Sequence, residues 1–348
     1  MRAGTNDDGV MTTDHAEDSE QRNPAGSAAE PPRVVAAEPP RVVADPQVMS
    51  AETPSVVADD GPSSPMEPVP MEPVPPPERR SRAGRNLTAA IAVGIGLGAI
   101  VLLSLYVWKP AFVGVVAIAV VLAIWELSNA LHEDQVRVAV VPIAVGGVAI
   151  LVAAYVGGSE AMLVALALTV LATMLWRLPE DPPGYVRDVT SGIFATLYVP
   201  FLAGFAVLLL REDDGANRVV VFMLLTVLSD VGGYVAGVLF GKHPMAPRVS
   251  PKKSWEGFAG SGVFCAVGGA ILLPTLLDGG ALAGAFIGLV VMLTATLGDL
   301  GESMIKRDLG IKDMGSLLPG HGGIMDRLDS LLPAAPVTFL LLTWLVPS

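Results

Sequence analysis

The chain has 348 residues, 52% of them hydrophobic and only 16% charged, with a mean hydropathy of +0.56. Soluble domains carry roughly 25% charged residues, so this composition, with its apolar residues gathered in long blocks, excludes an ordinary soluble core and indicates a polytopic membrane protein. The net charge of −12 gives no support to nucleic acid as a partner, and the single cysteine, Cys265, excludes an internal disulfide.

The first 82 residues are rich in Pro, Ala, Glu, Asp and Ser and contain two repeats, EPPRVVAAEPPRVVA at 30–44 and PMEPVPMEPVPPP at 65–77. Such a segment cannot bury enough apolar surface to offset its chain entropy. Residues 1–85 are therefore expected to form a disordered acidic tail with local polyproline II, inert or a docking tail for a proline-binding partner. No apolar core of a secretory signal occurs in it. Residues 86–348 form the second unit, a transmembrane domain.

From residue 87 the expected fold is an all-α transmembrane bundle of about nine spans. Apolar segments able to cross roughly 30 Å run at 87–108, 111–130, 137–156, 160–178, 189–210, 218–240, 256–277, 281–298 and 327–346. Pro110 marks a tight turn between the first two. With the N-terminus in the cytoplasm, fifteen Lys and Arg between residues 79 and 327 fall on the inner side and three, Lys109, Arg211 and Arg218, on the outer side. That bias sets the orientation of the bundle in the lipid bilayer.

The polar chemistry gathers on the inner side. In LGDLGESMIKRDLG (297–310), helical spacing puts Asp299, Ser303 and Lys306 on one face with Glu302 beside them, and Gly310 is a plausible stop. An exposed amphipathic helix end with ion pairs gives the same pattern. Yet Asp299 directly follows an apolar span, where an unpaired carboxylate is costly. In IKDMGSLLPGHGGIMDRLDS (311–330), the glycines let backbone N–H groups approach an anion closely. A new helix is expected near Ile324, with Asp326 and Asp329 in its first turn. Asp299 and Asp326 on facing helices can hold Mg²⁺, a hard cation that also takes phosphate oxygens. Lys306, Arg307, Lys312 and Arg327 supply positive charge for phosphates. His321 is a hydrogen-bonding or catalytic candidate.

A second constellation spans 229–261. Asp230 lies within an apolar helix, where charges are rare and usually functional. Gly233, Gly237 and Gly241 make a smooth face for close helix packing, within the chain or in a homodimer. The loop SPKKSWEG (250–257) offers Lys252 and Lys253, which either anchor to anionic headgroups or bind a triphosphate or a lipid phosphate. Two weaker candidates are Glu126, near the end of the second span, which lines the cavity or snorkels to the interface, and the loop RLPEDPPGYVRD (177–188).

Ser303-x-x-Lys306-Arg307, Lys312-Asp313 and Pro319-Gly320-His321-Gly322-Gly323-x-x-Asp326-Arg327-x-Asp329 together resemble the signature of the phosphatidate cytidylyltransferase (CDP-diacylglycerol synthase) family. SPKKSWEG resembles the family's second motif. Asp230 with Gly233-Tyr234 and Phe240-Gly241 resembles its D-x-x-A-Y-x-x-G-x-x-F-G helix, with Gly233 where alanine is usual. The resemblance covers about 87–348 and leaves the tail out.

It implies transfer of CMP from CTP to phosphatidic acid, giving CDP-diacylglycerol and pyrophosphate, at the cytoplasmic side of the cell membrane. It implies Mg²⁺, expected as two ions, with a monovalent ion as a further candidate. Asp299 and Asp326 become metal ligands and catalytic residues, supported by Asp230 and Asp329, and Lys306 holds the geometry. Lys252, Lys253, Ser303, Arg307, Lys312, His321, Gly322, Gly323 and Arg327 become substrate-binding. The alternatives are another membrane CTP-dependent transferase or kinase acting on a polyprenol or other lipid, and an ion-coupled transporter using Asp230 and Asp299.

Overall fold

A computed structural model of the chain describes residues 87–133, 135–315, 317 and 322–346, with side chains from Gly94 onward. The expected tail, its boundary at residue 85, and His321 lie outside the described residues.

The helices are α1 (Leu87–Val107), α2 (Lys109–Glu133), α3 (Val140–Trp176), α4 (Tyr185–Thr196), α5 (Leu202–Arg211), α6 (Gly215–Phe240), α7 (Trp255–Leu277), α8 (Ala281–Asp308), the short α9 (Met325–Leu328) and α10 (Leu331–Leu345). A π-helical turn, Leu197–Phe201, containing Pro200, joins α4 to α5 in one run. The all-α membrane bundle expected from the sequence is what forms. One feature goes beyond it: the polar loop after α6 folds into an antiparallel hairpin, β1 (Pro244–Ala246) with β2 (Ser250–Ser254), pairing Pro244 with Ser254.

Seven helical runs among the described residues are long and apolar enough to cross a membrane, and α1 is an eighth apolar helix described with side chains over Gly94–Val107. The count of nine is not reached in this way, because two expected spans are joined in α3. Gly158 inside α3 has φ 74°, a left-handed conformation that glycine tolerates. Across this kink Gly146 packs against Thr169, so the two arms fold back on each other. Residues just before and just after α3 accordingly meet: Arg137 N donates to Asp188 Oδ1 (3.1 Å), and Arg177 pairs with Asp188 Oδ2 (3.0 Å). The α3 run therefore enters and leaves at one end of the bundle.

The opposite end is closed by its own contacts. Lys109 Nζ donates to the Glu212 carbonyl (2.6 Å), Tyr106 to Asn217 (2.9 Å), and Asn217 to the Leu276 carbonyl (2.9 Å). Arg218 is 1% exposed, pairs with Asp214 (2.5 Å) and donates to the Val346 carbonyl (2.9 Å). A buried guanidinium needs such partners. Large apolar side chains such as Trp108, Val186, Val238 and Leu282 stand exposed around the bundle, as lipid-facing surfaces do.

Helices α6, α7 and α8 form the tightest layer. Without a hydrophobic drive between helices in lipid, close backbone approach holds them, and small residues permit it. Gly233 and Gly237 lie against Gly257 and Ser254, and Gly269 and Gly288 on facing helices lie against the backbones of Gly284 and Cys265. The glycine face of α6 is thus filled within the chain. Replacing Gly288 with Val is expected to force α7 and α8 apart at a cost of about 1–3 kcal/mol. Gly280→Ala, with no atom within 4 Å of the added carbon, should be nearly neutral. Thermal unfolding in detergent reads both, and equal midpoints would contradict this packing account.

Candidate active site

At one end of the bundle, α6, α7, α8, α9 and the β-hairpin surround a cavity of 370 Å³. Asp230 enters it from α6, Lys253 and Ser254 from the hairpin, Asp299 from α8, and Asp326, Arg327 and Asp329 from α9 and the residue after it. With Lys252, four carboxylates and three cations far apart in sequence thus line one space. Ser229, Ser261 and Thr296 add hydroxyls.

A second cavity of 200 Å³ adjoins it, lined by Ser250, Lys252, Ser303, Lys306, Arg307 and Lys312 among others. Lys252 lines both. The positive residues that the sequence presents as one group are therefore divided. Lys253 and Arg327 face the carboxylates, and the rest form a basic recess. Arg307 also ties α8 to the hairpin, donating Nε to the Val249 carbonyl (3.3 Å).

Local structure explains the placement. Ser254 caps α7, its Oγ accepting the Gly257 N–H (3.1 Å), an arrangement worth about 1 kcal/mol. Glu256 Oε2 accepts the Lys242 and His243 N–H groups (both 3.2 Å) and so closes the base of the hairpin that carries both lysines. Gly310, at φ 67°, follows the last turn of α8, as its sequence position suggests. On α8 the expected face is present: Ser303 Oγ reaches Asp299 Oδ1 (3.4 Å), and Lys306 Nζ bonds Glu302 Oε2 (2.5 Å).

Asp326 is the best-anchored acid. Its Oδ1 pairs with Lys306 Nζ (3.0 Å), and its Oδ2 accepts the Gly323 N–H (2.8 Å) and the Met314 N–H (3.2 Å). Asp299 is more open, pairing through Oδ2 with Lys253 Nζ (2.5 Å). The Gly323 N–H, expected to face an anion, is turned toward Asp326. Among the described residues no three or more His, Cys, Asp or Glu side chains converge on a metal position.

Sequence reasoning passed over several groups that the structure brings to the site. Ser229, Ser261 and Thr296 announce themselves only as polar residues in apolar spans. The N-cap role of Ser254 was available from its place just before an apolar helix. Glu302 is 0% exposed, with Oε1 buried and unpartnered among the described residues. Glu126 neither lines the cavity nor snorkels. It is 1% exposed and accepts the Met325 N–H (2.9 Å).

This architecture defines a polytopic helical membrane protein with an acidic and a basic cavity side by side at one end, an arrangement that accommodates phosphate groups and cations together. The chain belongs to the cytidylyltransferase family, whose model matches residues 88–345. It is 42% identical over 285 residues to the phosphatidate cytidylyltransferase of Mycobacterium bovis, covering 78% of this chain and 92% of that protein. The Mycobacterium leprae protein of the same name is 44% identical over 281 residues, covering 76% and 90%. That of Pseudomonas aeruginosa is 38% identical over 266 residues, covering 75% and 96%.

Proposed function

We propose that this chain transfers CMP from CTP to phosphatidic acid, forming CDP-diacylglycerol and pyrophosphate, at the cytoplasmic face of the plasma membrane. The observation that carries this reading is the pair of adjoining cavities joined at Lys252. A phosphate oxygen of the lipid attacks the α-phosphorus of CTP, and the bond to pyrophosphate breaks in line. Both substrates are anions, so the site needs fixed positive charge where the phosphates gather. Lys252, Lys306, Arg307 and Lys312 provide it for the triphosphate and the departing pyrophosphate. Lys253 and Arg327 provide it for the lipid phosphate. The lipid phosphate is already ionised near pH 7, so no general base is required.

The donor set fits Mg²⁺. Asp230, Asp299 and Asp329 are hard oxygen donors lining one cavity, and this ion is held by one or two carboxylates together with substrate phosphates. Asp299 and Asp326 are the expected ligands; Asp326 is more buried and also accepts two backbone N–H groups, so Asp299, held by Lys253 and Ser303, is the more available of the two. The ion supplies neutralisation of charge on the transferring group. Lys306 keeps Asp326 and Glu302 in place.

The cytoplasmic orientation rests on the fifteen-to-three distribution of Lys and Arg. In a Cys265→Ala background, Asp181→Cys and Asp213→Cys should label from opposite sides of the membrane. Asp213→Cys should react with an impermeant reagent on intact cells, and Asp181→Cys only after lysis. The reverse pattern would place the site away from CTP. The activity is tested with purified protein, CTP and phosphatidic acid in mixed micelles. A lipid-extractable cytidylyl product is expected, and its absence with folded protein and divalent ions present would overturn the reading.

A further inference from the structure

A carboxylate buried in an apolar helix requires a reason, because burial without full pairing costs several kcal/mol. Glu126 sits on α2, 199 residues before Met325, yet its Oε2 accepts the Met325 N–H at 2.9 Å. Its other oxygen, Oε1, is buried and without a partner among the described residues. The same side chain lies against Gly315 and Gly323, close enough that a methyl group on Gly323 would meet its carboxylate at 2.9 Å or less. Glu126 thus touches the connection between α8 and α9 near its middle, at Gly315, and again just before α9, at Gly323. It also borders the amides that Asp326 anchors: Gly323 N donates to Asp326 Oδ2, and Met325 N, one residue before Asp326, donates to Glu126.

We propose that Glu126 is a positioning residue for the site, a clamp from α2 that fixes the Gly323–Met325 backbone and so sets where Asp326, Arg327 and Asp329 project into the acidic cavity. It does not line either cavity, so it acts only through the residues it holds. The clamp accounts for a charged acceptor in a fully buried place, and for glycine at 315 and 323, where any side chain would collide with it. The inference rests on the proposed transferase reading for its activity readout.

The test compares three variants of the full chain. Glu126→Gln keeps an acceptor oxygen for Met325 N in nearly the same volume. Glu126→Met keeps the volume and removes the acceptor. Glu126→Ala removes both. With CTP and phosphatidic acid, kcat/KM should fall about thirtyfold or more in Glu126→Met and Glu126→Ala, while Glu126→Gln stays within about fivefold of the parent. Hydrogen exchange of the Gly322–Leu328 segment should quicken in Met and Ala but not in Gln, with exchange in α7 unchanged. That second readout needs no activity. Equal rates in Gln and Met, or unchanged exchange in Met and Ala, would overturn the clamp. An inactive parent chain would instead overturn the transferase reading, and the exchange result would still decide for or against Glu126.

Discussion

Asp299→Asn is expected to lower kcat/KM by at least about a hundredfold, a barrier increase of some 2.7 kcal/mol, while leaving the fold nearly as stable as before. Asparagine matches the volume and keeps one oxygen for Ser303, so packing survives. What disappears is the negative charge that pairs with Lys253 at 2.5 Å and faces the acidic cavity. Such a partly exposed pair contributes no more than about 1 kcal/mol to folding. Loss of rate therefore reports on the site and not on unfolding. If Asp299 and Asp326 serve one centre, Asp326→Asn should be similarly inactive and the double variant scarcely worse than either single, because residues acting as a unit are not additive. Asp308→Asn, exposed at the end of α8, should keep most activity. Initial rates against Mg²⁺ concentration for the set decide the matter. Multiplicative losses at Asp299 and Asp326 would separate the two into independent roles.

Lys306→Met should be both inactive and unstable, and the two effects should be separable. The Lys306 ammonium is shared by Glu302 Oε2 at 2.5 Å and Asp326 Oδ1 at 3.0 Å. Glu302 is completely buried and its second oxygen has no partner among the described residues. Removing the only cation that either acid is seen to bond there among the described residues leaves a buried negative charge, which costs about 3–5 kcal/mol. Adding Glu302→Gln to Lys306→Met removes that charge and should recover most of the lost unfolding temperature. Activity should not return, since Asp326 has still lost its ion partner and the basic cavity one of its cations. A Lys306→Met protein of unchanged stability would show that Glu302 is not held in this way.

How far these residues could be read without coordinates varies with the kind of signal. The apolar blocks mark the helices because crossing lipid demands long uninterrupted runs. The i, i+4 relation puts Ser303 beside Asp299 and Lys306 beside Glu302 on α8 whatever the tertiary fold. Gly310 as a stop is equally local. The Gly158 reversal is less visible, since one glycine among several in an apolar run carries no mark of positive φ. The β-hairpin escaped because SPKK lacks the alternation of a strand.

Other features depend on tertiary placement and left no periodic trace. The division of the lysines and arginines between two cavities follows from how the hairpin folds over α8. The N–H groups gathered by Asp326 come from Met314 and Gly323, in irregular backbone that no helical spacing describes. Glu126 meets Met325 across almost 200 residues, so its neighbours in sequence say nothing of its partner. The glycines of α6 suggested a partner helix correctly but not which one, and α7 of the same chain fills that place.

The direction of group transfer is read from the position of the phosphorus label in the product. Purified protein is given phosphatidic acid and, in parallel reactions, CTP labelled at the α- or at the γ-phosphorus. A cytidylyltransferase carries the α label into the lipid phase and releases the γ label as pyrophosphate, in equal amounts. Asp299→Asn should abolish both signals together. Label from the γ position in the lipid, with none from the α position, would mean that the two cavities serve a CTP-dependent kinase and that the account given for this site is wrong.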